Sequence, residues 1–161
     1  MIADGLNTYI GNGYNADVVE AIKSCYEQFK DQPKDHVKYL QDLPIKDQCY
    51  AIFENLVKNV RYKVDPDGVQ YIKSPARLLS DHEGDCKSLS MYICCCLHCL
   101  RRKHAFRFVS FDGGNQYTHV YAICWDEDGN EIIMDACEVD QDGYTLFDYA
   151  RPYTKKLDVI Y

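Results

Sequence analysis

The spacing of apolar residues changes abruptly near His104, and this change limits the possible folds more than any other feature of the chain. Before His104, apolar residues recur every three or four positions, as on one face of an α-helix. After it, they come in short runs separated by turn residues, as in β-strands. A block of helices followed by a block of strands is typical of α+β proteins. We therefore predict a single α+β domain over residues 1–161, with N-terminal helices and a buried helix packed on an antiparallel sheet.

The first half of the chain predicts a series of helices. One follows a capping residue, Asn15, and a shorter one follows Asp35. Another begins at Pro75, with Ser74 as its N-cap. The clearest helix occupies residues 45–60, because six apolar residues share one of its faces: Cys49, Ile52, Phe53, Leu56, Val57 and Val60.

Four segments of the second half have the character of strands. Residues 105–111, 117–125 and 131–137 are rich in aromatic and β-branched residues, and 144–149 is a shorter candidate. The sequence DEDGN at 126–130 predicts a tight turn between two of them. We expect these segments to form an antiparallel meander.

Residues 86–100 predict a helix of a different kind. Gly84 interrupts the chain before it, Cys86 opens it, and a basic run at 101–103 suits its C-terminal end. Its side chains are apolar in most directions, so we expect it to be buried against the sheet. It carries four further cysteines: Cys94, Cys95, Cys96 and Cys99.

The chain has nine cysteines, which raises the question of disulfides or a metal. Their number is odd, their spacing does not resemble a secreted disulfide scaffold, and the N-terminus lacks the features of a signal peptide. Successive helix residues point about 100° apart, so the run of adjacent cysteines cannot converge on one ion. Zinc ligation by Cys96 and Cys99 with Cys137 or Cys124 is the remaining alternative. We expect free, mostly buried thiols, no metal and no cofactor.

Charge and hydropathy exclude several classes of partner. The net charge is −7, and the ten acidic residues between Phe111 and Ala150 are accompanied by no lysine or arginine. Such a surface is unsuited to a phosphate backbone, so we expect no nucleic-acid partner, although a basic protein substrate would fit. No apolar run reaches the length of about 18–20 residues that spans a bilayer, so we expect no membrane association. Without a signal peptide, the expected location is the cytoplasm.

Three residues stand out as a set that could carry chemistry. Cys86 opens the buried helix, where the positive end of the peptide dipoles favours a thiolate. His119 lies within an apolar strand, and Asp135 closes the next strand, where a buried acid needs a partner. Each alone has an ordinary structural explanation, as a buried thiol, a core histidine or a turn acid. If residues 126–130 close a hairpin, however, the set has the composition of a nucleophile, a base and an orienting acid.

The segments that contain these residues resemble the core motifs of the transglutaminase-like superfamily, which has a papain-like fold. The matching segments are SPARLLSDHEGDCKSLSMYICCCL, YTHVYAICW and EIIMDAC, within roughly residues 60–137. By this resemblance, Cys86 is the catalytic nucleophile, His119 the general base and acid, and Asp135 the carboxylate that orients the histidine. The buried helix is then the catalytic helix.

The resemblance also implies an oxyanion hole. One donor would be the main-chain N–H of Cys86, and Gln70 or Tyr71 are candidates for the second donor. Two features depart from the usual pattern of the superfamily. No glycine ends the helix after Cys86, and the strand aspartate is followed by Ala136 and Cys137 rather than by proline. These departures concern loop shapes, and therefore the choice of substrate.

The function implied by the resemblance is thiol-dependent acyl transfer at an amide bond. With water as the acceptor, the protein is a cysteine peptidase or amidase with a protein or peptide substrate. Two alternatives stay open: a protein-crosslinking transglutaminase, in which an amine replaces water, and a non-catalytic structural protein that keeps the fold. Small single-domain members occur in bacteria and their phages, so the alternatives include a virion-associated protein within a phage particle.

Overall fold

The computed structural model of the protein describes residues 7–9, 16–66 and 70–161. Its helices are α1 (Ala16–Phe29), α2 (Lys34–Val37), α3 (Ile45–Asn59), α4 (Pro75–Asp81) and α5 (Cys86–Cys99). Each corresponds to a predicted helix, although Asn15, the expected cap of α1, lies outside the described residues. None of these described helices is long and apolar enough to cross a membrane.

The short helix α4 shows how local sequence sets a helix boundary. The Ser74 hydroxyl accepts a hydrogen bond from the N–H of Arg77 at 3.2 Å, and Pro75 occupies the first turn, where no N–H is needed. The predicted N-cap is therefore confirmed. The helix ends at His82, whose φ of 56° is left-handed and reverses the chain toward the start of α5.

The main sheet has four antiparallel strands in the order β7-β6-β5-β8. These strands are β5 (His104–Ser110), β6 (His119–Trp125), β7 (Glu131–Met134) and β8 (Lys155–Ile160). The turn between β6 and β7 is held by the Asp126 carboxylate, which accepts from the N–H groups of Asp128 and Asn130 at 2.9 and 2.8 Å. Gly129 takes a φ of 81° there, so the predicted hairpin turn is confirmed.

The prediction of a fourth strand at 144–149 is wrong. That segment makes a single bridge, between Thr145 and Val139, and otherwise runs as turns. The fourth strand is β8, which pairs with the outer edge of β5, so the sheet is not a simple meander. Its sequence KKLDVI is rich in charged residues and therefore does not suggest a strand. One of these charges, Asp158, is the partner of a buried arginine, Arg107 of β5.

Helix α5 lies at the centre of the molecule, as predicted. It packs against β5 and β6 on one side and against α1, α3 and α4 on the others. Twelve of its fourteen residues are buried, which explains why its sequence is apolar all round. The inner face of the sheet supplies the apolar residues that meet it: Phe106, Phe108, Val120, Ala122 and Cys124.

Four further short strands hold the chain around the start of α5. Arg61–Tyr62 (β2), which follows α3, pairs in parallel with Glu83–Gly84 (β4), just before α5. Tyr71–Lys73 (β3) pairs antiparallel with Asn7–Tyr9 (β1) and packs on α5. The chain passes very close to α4 at Gly84, where an added Cβ would lie 2.5 Å from a methyl group of Leu78. A side chain at this position, two residues before Cys86, would force Leu78 to shift.

The outer face of the sheet is organised around Arg107, whose side chain is only 2% exposed. Its guanidinium makes paired hydrogen bonds of 2.7 Å to both carboxylate oxygens of Glu131. It also donates to Asp158 at 2.8 and 2.9 Å. Because these bonds join β7, β5 and β8, one buried cation crosslinks the sheet in the direction across its strands.

Candidate active site

Cys86 is the first residue of α5 and is almost fully buried, with 6% of its surface exposed. The residue before it, Asp85, caps the helix, and its carboxylate accepts from the N–H groups of Lys87 and Ser88 at 3.1 and 3.4 Å. The thiol therefore sits at the positive end of a well-capped helix of fourteen residues. This is the position that the sequence predicted for it.

His119 and Asp135 meet at one end of the β6–β7 ladder. The last registered pair is Ala122 with Met134. Extending the register by one pair places Tyr121 opposite Asp135, with His119 diagonal to Asp135 on the same face. The imidazole Nε2 and the carboxylate Oδ2 are 2.7 Å apart, and both residues are buried. The expected contact between these two residues is thus present.

The other contact of the set is between Cys86 and His119, whose thiol and imidazole are hydrogen-bonded. Burial disfavours the charged imidazolium, but the hydrogen bonds with Asp135 and Cys86 outweigh it and raise the pKa of His119 to about 10. A protonated histidine between a carboxylate and a sulfur favours the thiolate form of that sulfur. The three side chains that the sequence singled out therefore form one continuous chain of polar contacts.

The histidine ring is also held by its aromatic neighbours. Phe111, just beyond β5, and Tyr121, two residues along β6, each lie with their ring centroid 5.8 Å from that of His119. Packing between two rings, together with the bond to Asp135, leaves the imidazole little freedom to rotate. The nitrogen that faces Cys86 is therefore presented in one orientation.

A buried ion cluster beside Cys86 was not foreseen from the sequence. The ammonium group of Lys87, only 1% exposed, binds the carboxylate of Asp85 and lies 3.4 Å from that of Asp65. Burial opposes the charge on Lys87, but its carboxylate neighbours outweigh burial and raise its pKa. Burial also raises the pKa of Asp85, to about 6. Asp65 also accepts from the N–H of Tyr71 at 2.7 Å, so the cluster ties the segment before β3 to the start of α5.

The acid and the base on either side of Cys86, in the sequence GDCKS, were the available indication of this cluster. A lysine in the first turn of a helix is unfavourable near the positive end of the dipole unless acids surround it. Its presence next to a candidate nucleophile could therefore have suggested buried carboxylate partners. The acid from the preceding segment, Asp65, could not have been chosen without the fold.

Cys137 is a second residue that sequence reasoning did not place at the site. Its main-chain N–H donates to Asp135 Oδ1 at 3.1 Å. Burial and the negative charges of Cys86 and Asp135 raise the pKa of its thiol well above the ordinary value, so it is a protonated thiol. The departure from proline after the strand aspartate was the indication that this position differs.

A pocket of about 350 Å³ opens beside Cys137. Leu89, which lies one turn after Cys86 on the same face of α5, forms part of its wall. Tyr62 also lines this pocket, and burial and the nearby Cys86 raise the pKa of its hydroxyl. The remaining wall is mostly apolar and comes from the end of α3 and the segment after β7: Leu56, Val57, Val60, Arg61, Ala136, Val139 and Thr145.

The two candidates for a second oxyanion donor differ in their hydrogen bonding. The main-chain N–H of Tyr71 is occupied by Asp65. Gln70 has a buried side-chain carbonyl oxygen that has no hydrogen-bond partner in the described chain. This oxygen is an acceptor, so its lack of a partner does not identify the Gln70 amide as a donor to an oxyanion.

The other cysteines of α5 pack in the core. Cys94, Cys95 and Cys96 are fully buried, and burial raises the pKa of each thiol well above the ordinary value. Cys99 is partly exposed and bonds to the carbonyl of Lys30 at 3.2 Å. Within residues 16–66 and 70–161, Cys96 and Cys99 belong to no close group of three metal-ligating side chains. The alternative of a zinc site built on that pair therefore has no support.

Comparison with known sequences finds neither a matching protein family nor a matching curated protein. Comparison with solved structures does find matches. A protein from Cytophaga hutchinsonii, described as a proposed cysteine protease, has a TM-score of 0.55 and 17% identity over 91% of this chain. The chain spans only 56% of the length of that protein.

LapG of Legionella pneumophila, in a calcium-bound form, has a TM-score of 0.53 and 19% identity. The match covers 86% of this chain and 81% of LapG. An EGTA-treated form of LapG matches with the same TM-score and identity. Both structures share a papain-like α+β fold with this chain.

At this level of identity, the structural similarity shows the fold. The protein has a papain-like α+β fold, with N-terminal helices and a buried helix packed on an antiparallel sheet, as predicted. The roles of the residues in the site come from the geometry of this chain, and they are developed as a proposal below.

Proposed function

We propose that the protein is a cysteine hydrolase that cleaves an amide bond in a protein or peptide substrate. The observation that carries this proposal is the chain of contacts from Cys86 through His119 to Asp135, at the N-terminus of a buried helix. A thiol, an imidazole and a carboxylate in this order are the parts needed for nucleophilic catalysis. The similarity to cysteine protease structures agrees with it.

In the proposed acylation step, the Cys86 thiolate attacks the carbonyl carbon of the substrate. The carbonyl electron pair moves to oxygen, and a tetrahedral intermediate forms. When this intermediate collapses, the C–N bond breaks, and the leaving amine takes a proton from the imidazolium of His119. The acyl group remains on Cys86 as a thioester. Asp135 keeps the ring oriented and stabilises its positive charge during the step.

In the deacylation step, a water molecule attacks the thioester carbonyl and gives a proton to His119. Collapse of the second tetrahedral intermediate releases a carboxylic acid and restores the thiolate. The negative oxygen of both intermediates would be stabilised by the N–H of Cys86 at the helix start. An amine in place of water would give the transglutaminase reaction by the same route.

The pocket next to Cys137 is where we propose that part of the substrate binds. Its apolar wall residues, among them Leu56, Leu89 and Val139, suit an aliphatic or aromatic side chain of a peptide. The helix position of Leu89 keeps such a side chain within one turn of the Cys86 thiol. The substrate would therefore present an apolar side chain close to the bond that is cleaved.

The proposal is tested by mapping which cysteine reacts first. The folded protein is treated with limiting iodoacetamide at neutral pH, and modified peptides are quantified by mass spectrometry. We expect Cys86 to be labelled at least about tenfold faster than the partly exposed Cys99, since an imidazolium neighbour favours the thiolate. His119→Ala should slow the labelling of Cys86, whereas Cys99→Ala, the matched control, should leave the labelling rate of Cys86 unchanged. Equal labelling of Cys86 and Cys99 in the folded protein would contradict the proposal.

The acceptor is identified in a second experiment. Casein and a library of quenched fluorescent peptides are incubated with the protein, with and without monodansylcadaverine as an amine. Peptide cleavage that is lost in Cys86→Ala identifies a hydrolase. Incorporation of the dansyl amine into casein without cleavage identifies a transglutaminase. Thermal melting of Cys86→Ala should match that of the wild type, because the thiol heads α5 and is not a packing centre.

A further inference from the structure

Lys87 follows the nucleophile directly in the chain, and the chemistry proposed above gives its side chain no part. The side chain is only 1% exposed, although an isolated ammonium group is costly to bury. The ammonium group binds the carboxylate of Asp85, the residue before the nucleophile, and lies 3.4 Å from that of Asp65. A buried cation is thus held in the first turn of α5, next to Cys86.

The carboxylate of Asp85 is held at the tip of α5 by the helix itself. It accepts from the N–H groups of Lys87 and Ser88 at 3.1 and 3.4 Å, so its negative charge lies against the first turn. Cys86 belongs to the same turn and is also buried. Charges within one turn interact strongly here, because a turn rises only about 5.4 Å and salt screens buried charges little. A carboxylate at Asp85 and a thiolate at Cys86 therefore oppose each other.

We propose that Lys87 is a positioning residue for the nucleophile: its ammonium group allows the cap carboxylate of Asp85 and the thiolate of Cys86 to be charged at the same time. Without this cation, the carboxylate would disfavour the thiolate in the same turn. With it, Asp85 caps the helix as half of an ion pair. The positive end of the helix dipole then acts on the sulfur without an opposing charge beside it.

The position of the ammonium group is fixed from a second side by Asp65. This carboxylate also accepts from the N–H of Tyr71 at 2.7 Å, so it is anchored at the start of β3. Strand β3 is in turn tied to the first turn of α5, because the N–H of Lys73 donates to Ser88 Oγ at 2.9 Å. The cation is therefore part of a fixed arrangement around the helix tip and cannot turn away into solvent.

Other charged groups near the helix tip do not replace Lys87. Four further titratable groups lie near Cys86 or Asp85: Tyr62, His119, Asp135 and Cys137. Of these four, His119 is the cation, and its partners are Asp135 and the thiol itself. The charges of the neighbouring strands β2 and β4 are paired with one another, namely Glu83 with Arg61 and Lys63. Among the described residues around the site, Lys87 is therefore the cation available to Asp85.

The proposal rests on the nucleophile of the proposed function, but its test measures ionisation of a thiol and needs no turnover. The rate of iodoacetamide labelling at Cys86 is followed by mass spectrometry from pH 4 to pH 9, and the midpoint of the profile is compared between variants. Lys87→Met should move the midpoint to higher pH and slow labelling at neutral pH at least about threefold. Asp85→Asn, which keeps a capping side chain, should move the midpoint in the opposite direction, to lower pH.

The double variant Lys87→Met/Asp85→Asn separates the effect of charge from that of structure. It removes both charges and keeps a cap, so we expect its profile to return toward that of the wild type. The matched control is Lys58→Met, which removes an exposed lysine paired with Glu54 and should leave the profile unchanged. A melting curve for each variant shows that labelling is measured on folded protein.

A profile of Lys87→Met that superimposes on the wild type, or a double variant that labels no faster than Lys87→Met, would overturn the proposal. If Lys87→Met does not fold, Asp85→Asn decides: a midpoint at lower pH supports the proposal, and an unchanged midpoint overturns it. Failure of the proposed function is seen separately, in the wild type, as labelling of Cys86 that is no faster than that of Cys99.

Discussion

The imidazole Nε2 of His119 lies 2.7 Å from the carboxylate of Asp135, across the end of two neighbouring strands. The two residues are sixteen positions apart in the chain and are joined by a hairpin. This contact is a main determinant of the charge on His119. Burial lowers the pKa of the imidazole, whereas the hydrogen bond with Asp135 raises it.

Asp135→Asn tests whether this contact serves the thiol. Asparagine keeps the size of the side chain but not its negative charge, so the imidazolium becomes less stable and supports the thiolate of Cys86 less well. We expect the pH profile of iodoacetamide labelling at Cys86 to move to higher pH, and any hydrolytic rate to fall by a factor on the order of 10³–10⁴. Superimposable labelling profiles for the two proteins would remove Asp135 from the site.

Lys87→Met should destabilise the fold strongly. The substitution keeps the apolar stem of the side chain but leaves the buried Asp85 and the half-buried Asp65 without their cation. Removing one partner of a buried ion pair costs about 3–5 kcal/mol, and we expect the lower end of that range. The loss should shrink at pH 5 relative to pH 8, because burial raises the pKa of Asp85 to about 6 and its protonation removes one of the two negative charges. Urea unfolding at both pH values measures it.

The control for this variant is Lys58→Met. Lys58 is also paired with an acid, Glu54, but both side chains are exposed. Its substitution should leave the free energy of unfolding unchanged within error. If Lys87→Met behaves like Lys58→Met, the buried cluster does not stabilise the protein.

Gly84→Ala should be destabilising because of crowding rather than backbone strain. An alanine Cβ would come within 2.5 Å of Leu78 Cδ1 and 3.2 Å of the Cβ of Ser88. Overpacking of this kind costs about 1–3 kcal/mol. The double variant Gly84→Ala/Leu78→Val removes the nearest atom and should be more stable than the sum of the single changes predicts. Strictly additive unfolding free energies would show that the contact with Leu78 is not the cause.

A pH prediction away from the site concerns His104. Its Nδ1 donates to the carbonyl of Arg102 at 2.7 Å, so Nε2 of the neutral ring accepts from the hydroxyl of Tyr26 at 2.9 Å. Burial lowers its pKa from 6.5 to about 4. The folded state therefore binds this proton less readily than the unfolded state, and stability is fully present above pH 6.5 and falls as the pH is lowered toward 4.

The size of this effect follows from the shift, at 1.36 kcal/mol for each pH unit, and is about 3 kcal/mol at most. The measurement is the difference in unfolding free energy between pH 7 and pH 4.5 in the wild type and in His104→Gln, which cannot take up the proton. We expect the variant to lose less stability over this interval. The same loss in both proteins would assign the acid sensitivity to carboxylates alone.

The elements that could be predicted from the sequence are those that neighbouring residues determine by themselves. Helix α3 has a continuous apolar face, and α4 has a cap and a proline at adjacent positions, so both could be placed from neighbouring residues alone. The contact between His119 and Asp135 could be predicted because a short hairpin fixes the register of β6 and β7. These are local rules, and they extend over no more than about twenty residues.

The features that could not be predicted depend on contacts between distant segments. Strand β8 was missed because Asp158 reads as a surface acid until Arg107 is placed beside it. The lysine cluster needed Asp65, which lies 22 positions before Lys87 in the chain. Cys137 could be placed at the site only when the fold showed its main-chain N–H bonded to Asp135. Pairing of a buried charge with its partner is a tertiary property, and no periodicity in the sequence records it.

Because α5 lies at the centre of the molecule, the reactivity of its buried thiols reports how often the protein unfolds. The thiols of Cys94, Cys95 and Cys96 have no exposed surface, and every side of their helix is covered by other elements. An alkylating reagent can reach them only when the helix leaves the core, which amounts to global unfolding. Their labelling rate in native buffer therefore reports the free energy of complete opening. Cys86, at the tip of the same helix, reports the site in the folded state, so a single reaction followed at two positions can separate a change in reactivity from a change in stability.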